Sequence, residues 1–380
     1  MVTRRAFFII FVATIWALIG STPALAVKSI APSFYKWDNL HSPKEEGKPH
    51  GSSMVELEGG NILATWYAAT EETNSEAQIF GAVWNKKKWA WGKPYVIIPR
   101  NYAKSVGNTA LFKDDDGIIW LFFAAVRVGG WSGSNIDYTQ SKDGGKTWTE
   151  GKTLVTSLGH LPRNRPIRLE KGRMLAPFFI DFWYETNMVG SYTMTIDHNE
   201  GRVLSTQTFH LDDHDAIQPT LVPLPDGRIL MLARDKSDKF IRRSYSRDNG
   251  KTWEPMALTD TPNPGSAVDA IYVEKLGIVL MVYNHSHKAS NPLTLAFSLD
   301  GGLEFTRIVN LAGDRWSNLV AYNYPTIMQT SDGYFHVLWS HKNRASLKHA
   351  IFNMKWLEDS VKNALEKKEA AKGKPSPVLD

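Results

Sequence analysis

The sequence predicts an all-β chain folded as a six-bladed β-propeller, and three observations predict it. First, six glycine turns, each set just before a hydrophobic run, recur along the chain: "ELEGGNILATWY", "KDDDGIIWLFFA", "LEKGRMLAPFF", "LPDGRILMLAR", "EKLGIVLMVYN" and "TSDGYFHVLWS". Their glycines, Gly60, Gly117, Gly172, Gly227, Gly277 and Gly333, lie 57, 55, 55, 50 and 56 residues apart. Second, an eight-residue box, "SKDGGKTW" at 141–148, returns as "SRDNGKTW" at 246–253 and more weakly as "SLDGGLEF" at 298–305. Third, the segments around the turns are short, rich in β-branched and aromatic residues, and without helical periodicity. A small twisted sheet buries both of its faces only when like sheets stack around an axis, so a repeat of about 50 residues built from three or four short strands reads as one blade.

The elements follow in chain order. "MVTRR" is a charged start, Ala6 to Gly20 is an apolar run and "ALA" at 24–26 is a small-residue cleavage site, which together predict an export signal over residues 1–26. The run is shorter than the ~20 residues of a membrane-spanning helix, so no span is expected after cleavage and a periplasmic or secreted location follows. "TRRAFF" at 3–8 also has the form of a twin-arginine signal. The propeller is expected over residues 27–355. Its last blade has strands near "YPTIMQT", "YFHVLWS" and "LKHAIFN", and "SFYKWDN" at 33–39 is expected to supply the fourth, closing the ring and removing exposed edges.

Within the boxes, Asp143 and Asp248 are expected to hydrogen-bond their own turns while Trp148 and Trp253 wedge against the neighbouring sheet. "TIDHNEG" at 195–201 sits where a decayed copy falls. Residues 356–380 read as a charged, solvated helix with a flexible end.

The 380 residues are 43% hydrophobic and include no cysteine, which excludes disulfides, thiol catalysis and cysteine-bound zinc and leaves the fold to core burial. Two charges of the formal net +5 belong to Arg4 and Arg5 of the leader, and the rest are mixed in sign, a pattern that argues against nucleic acid as a partner. Phosphate-cradling glycine loops and a "GxSxG" nucleophile elbow are absent. No metal site and no cofactor are expected.

In a propeller the inner strand of each blade runs along the axis, so residues at one offset from the turn gather at one mouth. Eight to ten residues before each turn glycine stand His50, Asn108, Arg163, Gln218, Asp269 and Tyr324. An unpaired buried polar group costs ~1–3 kcal/mol, so a polar residue in every blade at this register reads as a site and not as core. A second set follows the second strands: Arg234 and Asn284, then His285, with Arg127 and Asp181 slightly beyond, and Glu72 and Glu76 in the first-blade loop. Arg163, Arg165 and Arg234 present planar forks that suit a carboxylate. An acidic sugar or glycan is the expected partner.

These boxes, with "RNRPIRL", "AIQPTLVPLPDGRILMLAR", "GSAVDA", "YNHS" and "YPTIMQTSDG", resemble the sialidase (neuraminidase) superfamily, and within it the BNR-repeat branch of predicted neuraminidases, over residues 40–352. The resemblance implies a sialidase-like propeller and an exo-sialidase-like glycoside hydrolase. It implies three arginines on the substrate carboxylate, an acid/base in the first-blade loop, and a tyrosine nucleophile in the last blade partnered by a glutamate. Arg234 matches one arginine, Tyr324 the nucleophile, and Glu72 or Glu76 the acid/base. The chain departs from the pattern where "PHGSS" puts His50 near the first arginine's place, where Ser290, with Lys288 nearby, occupies the third's, and where Gln218 replaces the glutamate.

The expected catalytic set is therefore Glu72, Glu76, Tyr324, Gln218 and Asp269, and the expected substrate-binding set His50, Asn108, Arg163, Arg165, Arg234, Asn284 and His285. Two alternatives accompany this reading. One is a lyase of uronate polymers, with His50, His285 or Tyr324 as the base, and the other is a propeller that only binds sugar.

Overall fold

The computed structural model describes residues 33–371 except 171, 182–187, 198–201, 212–215, 236, 238 and 314–318; for 188–197 and 202–211 it describes the backbone. The export signal expected over residues 1–26, the end of the tail and part of "TIDHNEG" lie outside the described residues.

Six antiparallel sheets follow one another as the blades of a propeller. Their inner strands are Lys48–Glu56 in blade 1, Ser105–Lys113 in blade 2, the split pair His160–Pro162 and Ile167–Arg168 in blade 3, Ala216–Pro223 in blade 4, Asp269–Val273 in blade 5 and Asn323–Gln329 in blade 6. The six turn glycines all adopt left-handed φ values between 63° and 85°, which a residue bearing a Cβ adopts only at a cost; that constraint makes them visible as a repeat. Tyr35–Leu40 joins Ser346–Phe352, with Leu40 opposite Leu347 and Tyr35 opposite Phe352, so the last blade draws strands from both ends of the chain.

Each box is a self-bonded turn. Ser141 Oγ donates to Asp143 Oδ1 at 2.8 Å and Asp143 accepts from Thr147 N at 2.9 Å; Ser246 with Asp248 and Ser298 with Asp300 repeat the pattern. Trp253 packs with Leu175 and Met231 of blades 3 and 4, and Trp148 with Leu63 and Leu121 of blades 1 and 2, as wedges between sheets. The aliphatic and aromatic faces between blades form the core, and Trp66, Trp120 and Trp339 are fully buried there.

The helix expected at the end of the chain spans Met354–Ala371. It does not stand free in solvent: Leu357 and Ala364 are buried against the blade 5 and 6 core, with Val361 and Leu365 packed beside them. The apolar stripe at that spacing is what seats it.

The axis is plugged by three consecutive side chains from the gap in the inner strand of blade 3. Arg163 donates to Pro325 O of blade 6 at 2.9 Å and to Ser52 O of blade 1 at 3.4 Å. Asn164 donates to Pro219 O of blade 4 at 3.0 Å and to Val268 O, just before blade 5, at 3.1 Å. Arg165 donates to Asp269 Oδ2 at 3.2 Å, to Ala270 O at 3.2 Å and to Ile327 O. The plug ties blade 3 to blades 1, 4, 5 and 6 and separates the two mouths of the channel.

At the seam between blades 6 and 1, His336 Nδ1 and His349 Nε2 lie 3.0 Å apart, with Trp84 edge-on to both rings. Burial pushes His336 down to about 4 and His349 well below the usual histidine value. Both are therefore neutral in the fold, whereas in the unfolded chain they take up protons below a pH of about 6.5. Their contribution to stability is complete above that value and is lost as pH falls toward 4. For His336 alone the loss at pH 5 is about 2 kcal/mol. Urea unfolding at pH 7 and pH 5 should show the midpoint falling on acidification; a midpoint unchanged over this window would contradict this reading of the seam.

Candidate active site

The site lies at the mouth where the inner strands begin, and a repeated backbone bulge builds it. In blades 1, 2, 4 and 6 the pairing between the first and second strands slips at His50/Ser53, Gly107/Thr109, Ile217/Thr220 and Asn323/Thr326. The residue pushed out is left-handed each time: Gly51 (φ 61°), Asn108 (φ 39°), Gln218 (φ 54°) and Tyr324 (φ 53°). Holding glutamine and tyrosine in that region costs on the order of 1–3 kcal/mol each, a strain that surrounding structure must enforce and that gathers at functional sites. By this register the blade 1 counterpart of Tyr324 is Gly51, and His50 is one residue earlier. A Cβ on Gly51 would meet the Tyr67 ring at 3.0 Å, so blade 1 leaves the position bare and presents Tyr67 and His50 in its stead.

A cavity of about 100 Å³ results, lined by Tyr67, Glu72, Asn108, Trp131, Leu161, Phe179, Asp181, Gln218, Arg234 and Tyr324. Tyr324 is its centre. Gln218 Nε2 donates to the Tyr324 hydroxyl at 2.9 Å, the Arg163 guanidinium lies 4.7 Å from the ring centroid, and the His50 ring packs 4.1 Å from it on centroids. The buried Gln218 Oε1 has no hydrogen-bond partner among the described residues. Burial lowers the Arg163 guanidinium to about 10.

His50 donates to or accepts from Ser340 Oγ at 2.9 Å, and its Nε2 lies 3.7 Å from Glu72 Oε1. Burial, with Arg344, Arg163 and Arg234 nearby, holds His50 well below the usual histidine range, so it is a neutral imidazole. Glu72 bridges the rim, accepting from Arg344 Nη1 at 2.9 Å and from Trp131 Nε1 at 3.3 Å. Burial and the Glu72 carboxylate raise the Tyr67 phenol well above its usual value. Arg234 Nε is buried with no hydrogen-bond partner among the described residues.

The sequence-expected residues divide into three groups. Tyr324, Gln218, Asn108, Arg234 and Glu72 line the cavity; His50 and Arg163 pack beneath Tyr324. Asp269 and Arg165 lie one tier deeper. Asp269 pairs across its hairpin with Val282, the counterpart of Leu232 and Leu338, which face Thr220 and Thr326, so it belongs two residues further along the strand than Gln218 and Tyr324. Its carboxylate accepts from Thr220 Oγ1 at 2.7 Å, Thr326 Oγ1 at 3.1 Å, Ile327 N at 2.9 Å and Arg165.

The third group serves loops. Glu76 accepts from Thr70 N at 2.8 Å and fastens the loop that carries Glu72; the Thr70 hydroxyl and amide hold its carboxyl below the usual range. Asn284 donates to Tyr322 O at 3.0 Å and Pro292 O at 3.3 Å. His285 bonds the Tyr283 hydroxyl at 2.6 Å and is pushed down to about 4 by burial. Arg127 pairs with Asp137 at 2.5 Å.

Sequence reasoning missed Arg344, Tyr67 and Trp131. Tyr67 stands seven residues after Gly60, as Arg234 does after Gly227, so the same count finds it. Arg344 and Trp131 sit in the connections after the second strands of blades 6 and 2, where no repeat marks a position.

Bulged inner strands, a plugged axis and an arginine-bearing cavity at one mouth define a six-bladed propeller of the sialidase type. The chain belongs to the BNR repeat-like domain family, whose model matches residues 60–337. Hadza microbial sialidase Hz136 is similar in structure, with a TM-score of 0.67 at 16% identity over 82% of this chain and 67% of that one. The NanB sialidase of Streptococcus pneumoniae gives 0.66 at 13% identity over 83% and 70%. A protein of unknown function from Dyadobacter fermentans gives 0.67 at 14% identity over 84% and 99%. Among curated proteins none matches the sequence. Identities this low speak for a common fold.

Proposed function

We propose that the protein is an exported glycoside hydrolase acting on a terminal sialic acid or another carboxylated sugar. One observation carries this reading: Arg234 lines the same cavity as Tyr324 and Glu72, and a second arginine from another blade, Arg344, is held beside it on the Glu72 carboxylate. Arg234 and Arg344 grip the sugar carboxylate. Glu72, in its acid form, gives its proton to the leaving glycosidic oxygen, the Tyr324 hydroxyl oxygen stabilises the oxocarbenium-like carbon, and water then adds to that carbon as its proton returns to Glu72. Arg163 gives its two terminal nitrogens to backbone carbonyls and lies over the Tyr324 ring, which it supports from beneath. Asp269 and Arg165 hold the blades in register. Gln218 orients the phenol; being an amide, it cannot take the phenol's proton.

Glu72 is paired with Arg344, so a substrate carboxylate competes with it. Glu72→Gln should lower turnover of a sialoside on the order of 10²-fold and at the same time tighten binding of free N-acetylneuraminate, because the neutral amide yields Arg344 more readily. Steady-state kinetics and calorimetry check the two halves; unchanged turnover would remove Glu72 from the mechanism.

A second reading draws on Gln218 and on the neutral His50 against Tyr324. A lyase needs a neutral base beside a uronate carboxylate, and its unsaturated product absorbs in the near ultraviolet. Uronate polymers incubated with the protein should release such a product if this reading holds, and fluorogenic sialosides should not be cleaved.

A further inference from the structure

The opposite mouth, where the inner strands end, holds a cavity of about 530 Å³, within the range of small-molecule sites. The distance from Tyr324 to Gln329 along their shared strand is roughly 16 Å, and the Arg163–Asn164–Arg165 plug stands between the two mouths, so this cavity is not a deep end of the first. Its floor is Arg165. Its walls alternate apolar and aromatic groups, among them Met328 and Tyr272, and its rim carries Lys113, Arg168 and Glu56.

The charges on that rim are unevenly spent. Both Glu56 carboxylate oxygens turn outward to Ser331, accepting from its N at 2.9 Å and its Oγ at 2.7 Å. Arg168 pairs with Asp115 at 2.8 Å, and both side chains are half exposed, so that bridge is weak and exchangeable. The half-buried Lys113 ammonium gives one proton to Glu56 O at 2.8 Å and forms no ion pair among the described residues. A cation with two unassigned donors over a concave apolar wall is the pattern of a site for an anion that carries an apolar or sugar-like body.

We propose that this second mouth binds a small carboxylate-bearing molecule, its anion on Lys113 and Arg168 and its body against Tyr272 and Met328. The site stands independently of the hydrolase reading, since none of its residues lines the first cavity.

The test is calorimetric titration of the full chain with N-acetylneuraminate, glucuronate and inorganic phosphate, at low and high salt. An Arg234→Met variant, disabled at the first mouth, should retain binding of at least one sugar acid, and binding should weaken with salt. Lys113→Met in that background should lower the affinity about tenfold without shifting the unfolding midpoint. Tyr272→Leu should weaken the sugar acids and leave phosphate unchanged, separating recognition of a body from recognition of charge alone. No binding of any probe to the Arg234→Met protein, or binding indifferent to Lys113→Met, would overturn the proposal.

Discussion

Replacing Tyr324 by phenylalanine is expected to lower turnover of a carboxylated-sugar glycoside by at least about 10³-fold while KM changes little. The substitution removes one oxygen and keeps the ring on which His50 and Arg163 pack. It also frees the Gln218 amide, whose oxygen is already unpartnered, so some local loosening accompanies it. The effect on kcat nevertheless belongs to the hydroxyl, because binding of the carboxylate is assigned to Arg234 and Arg344. Equal turnover by Tyr324→Phe and the parent protein would leave the cavity a binding site only.

Asp269→Ala should destabilise the fold rather than merely slow it. The carboxylate is the shared acceptor of Thr220, Thr326, the Ile327 amide and Arg165, and so joins blades 3, 4, 5 and 6 at the axis. Removing one partner of a buried pair costs about 3–5 kcal/mol because the other charge is stranded. Arg165 keeps part of its guanidinium toward the opposite cavity, so solvent screens some of that charge and the lower end, ~3 kcal/mol, is expected. Chemical denaturation reads this directly. Asp269→Asn, which retains the shape and some acceptors, should recover part of the loss, whereas an alanine variant as stable as the parent would mean that the plug holds nothing.

The fold was legible because its constraint is periodic: six left-handed glycines and the self-bonded boxes recur in the sequence as they do in space. Closure by "SFYKWDN" followed from counting strands. The site was legible only in part, and the reasons are local. The bulges at the start of the inner strands make a count from the turn ambiguous by one residue, which is why His50 and not Gly51 stood for blade 1. Blade 5 forms no such bulge, and Asp269 falls two residues deeper than the count implied. Arg163 and Arg165, alternate residues that a continuous strand would aim alike, lie in the gap between two short strands, so Arg165 reaches the far cavity. Arg344 comes from a hairpin without a repeat, and only the folded chain brings it to Glu72. The charged tail concealed an apolar stripe that its overall composition diluted.

The most direct test of a carboxylate-directed site is to compare hydrolysis of a fluorogenic sialoside with that of the same compound carrying a carboxamide in place of the carboxylate. Cleavage of the acid, with the amide cleaved at least about 10²-fold more slowly and the difference lost in Arg234→Met, is the predicted result. Equal rates for acid and amide, or cleavage of neither, would contradict it.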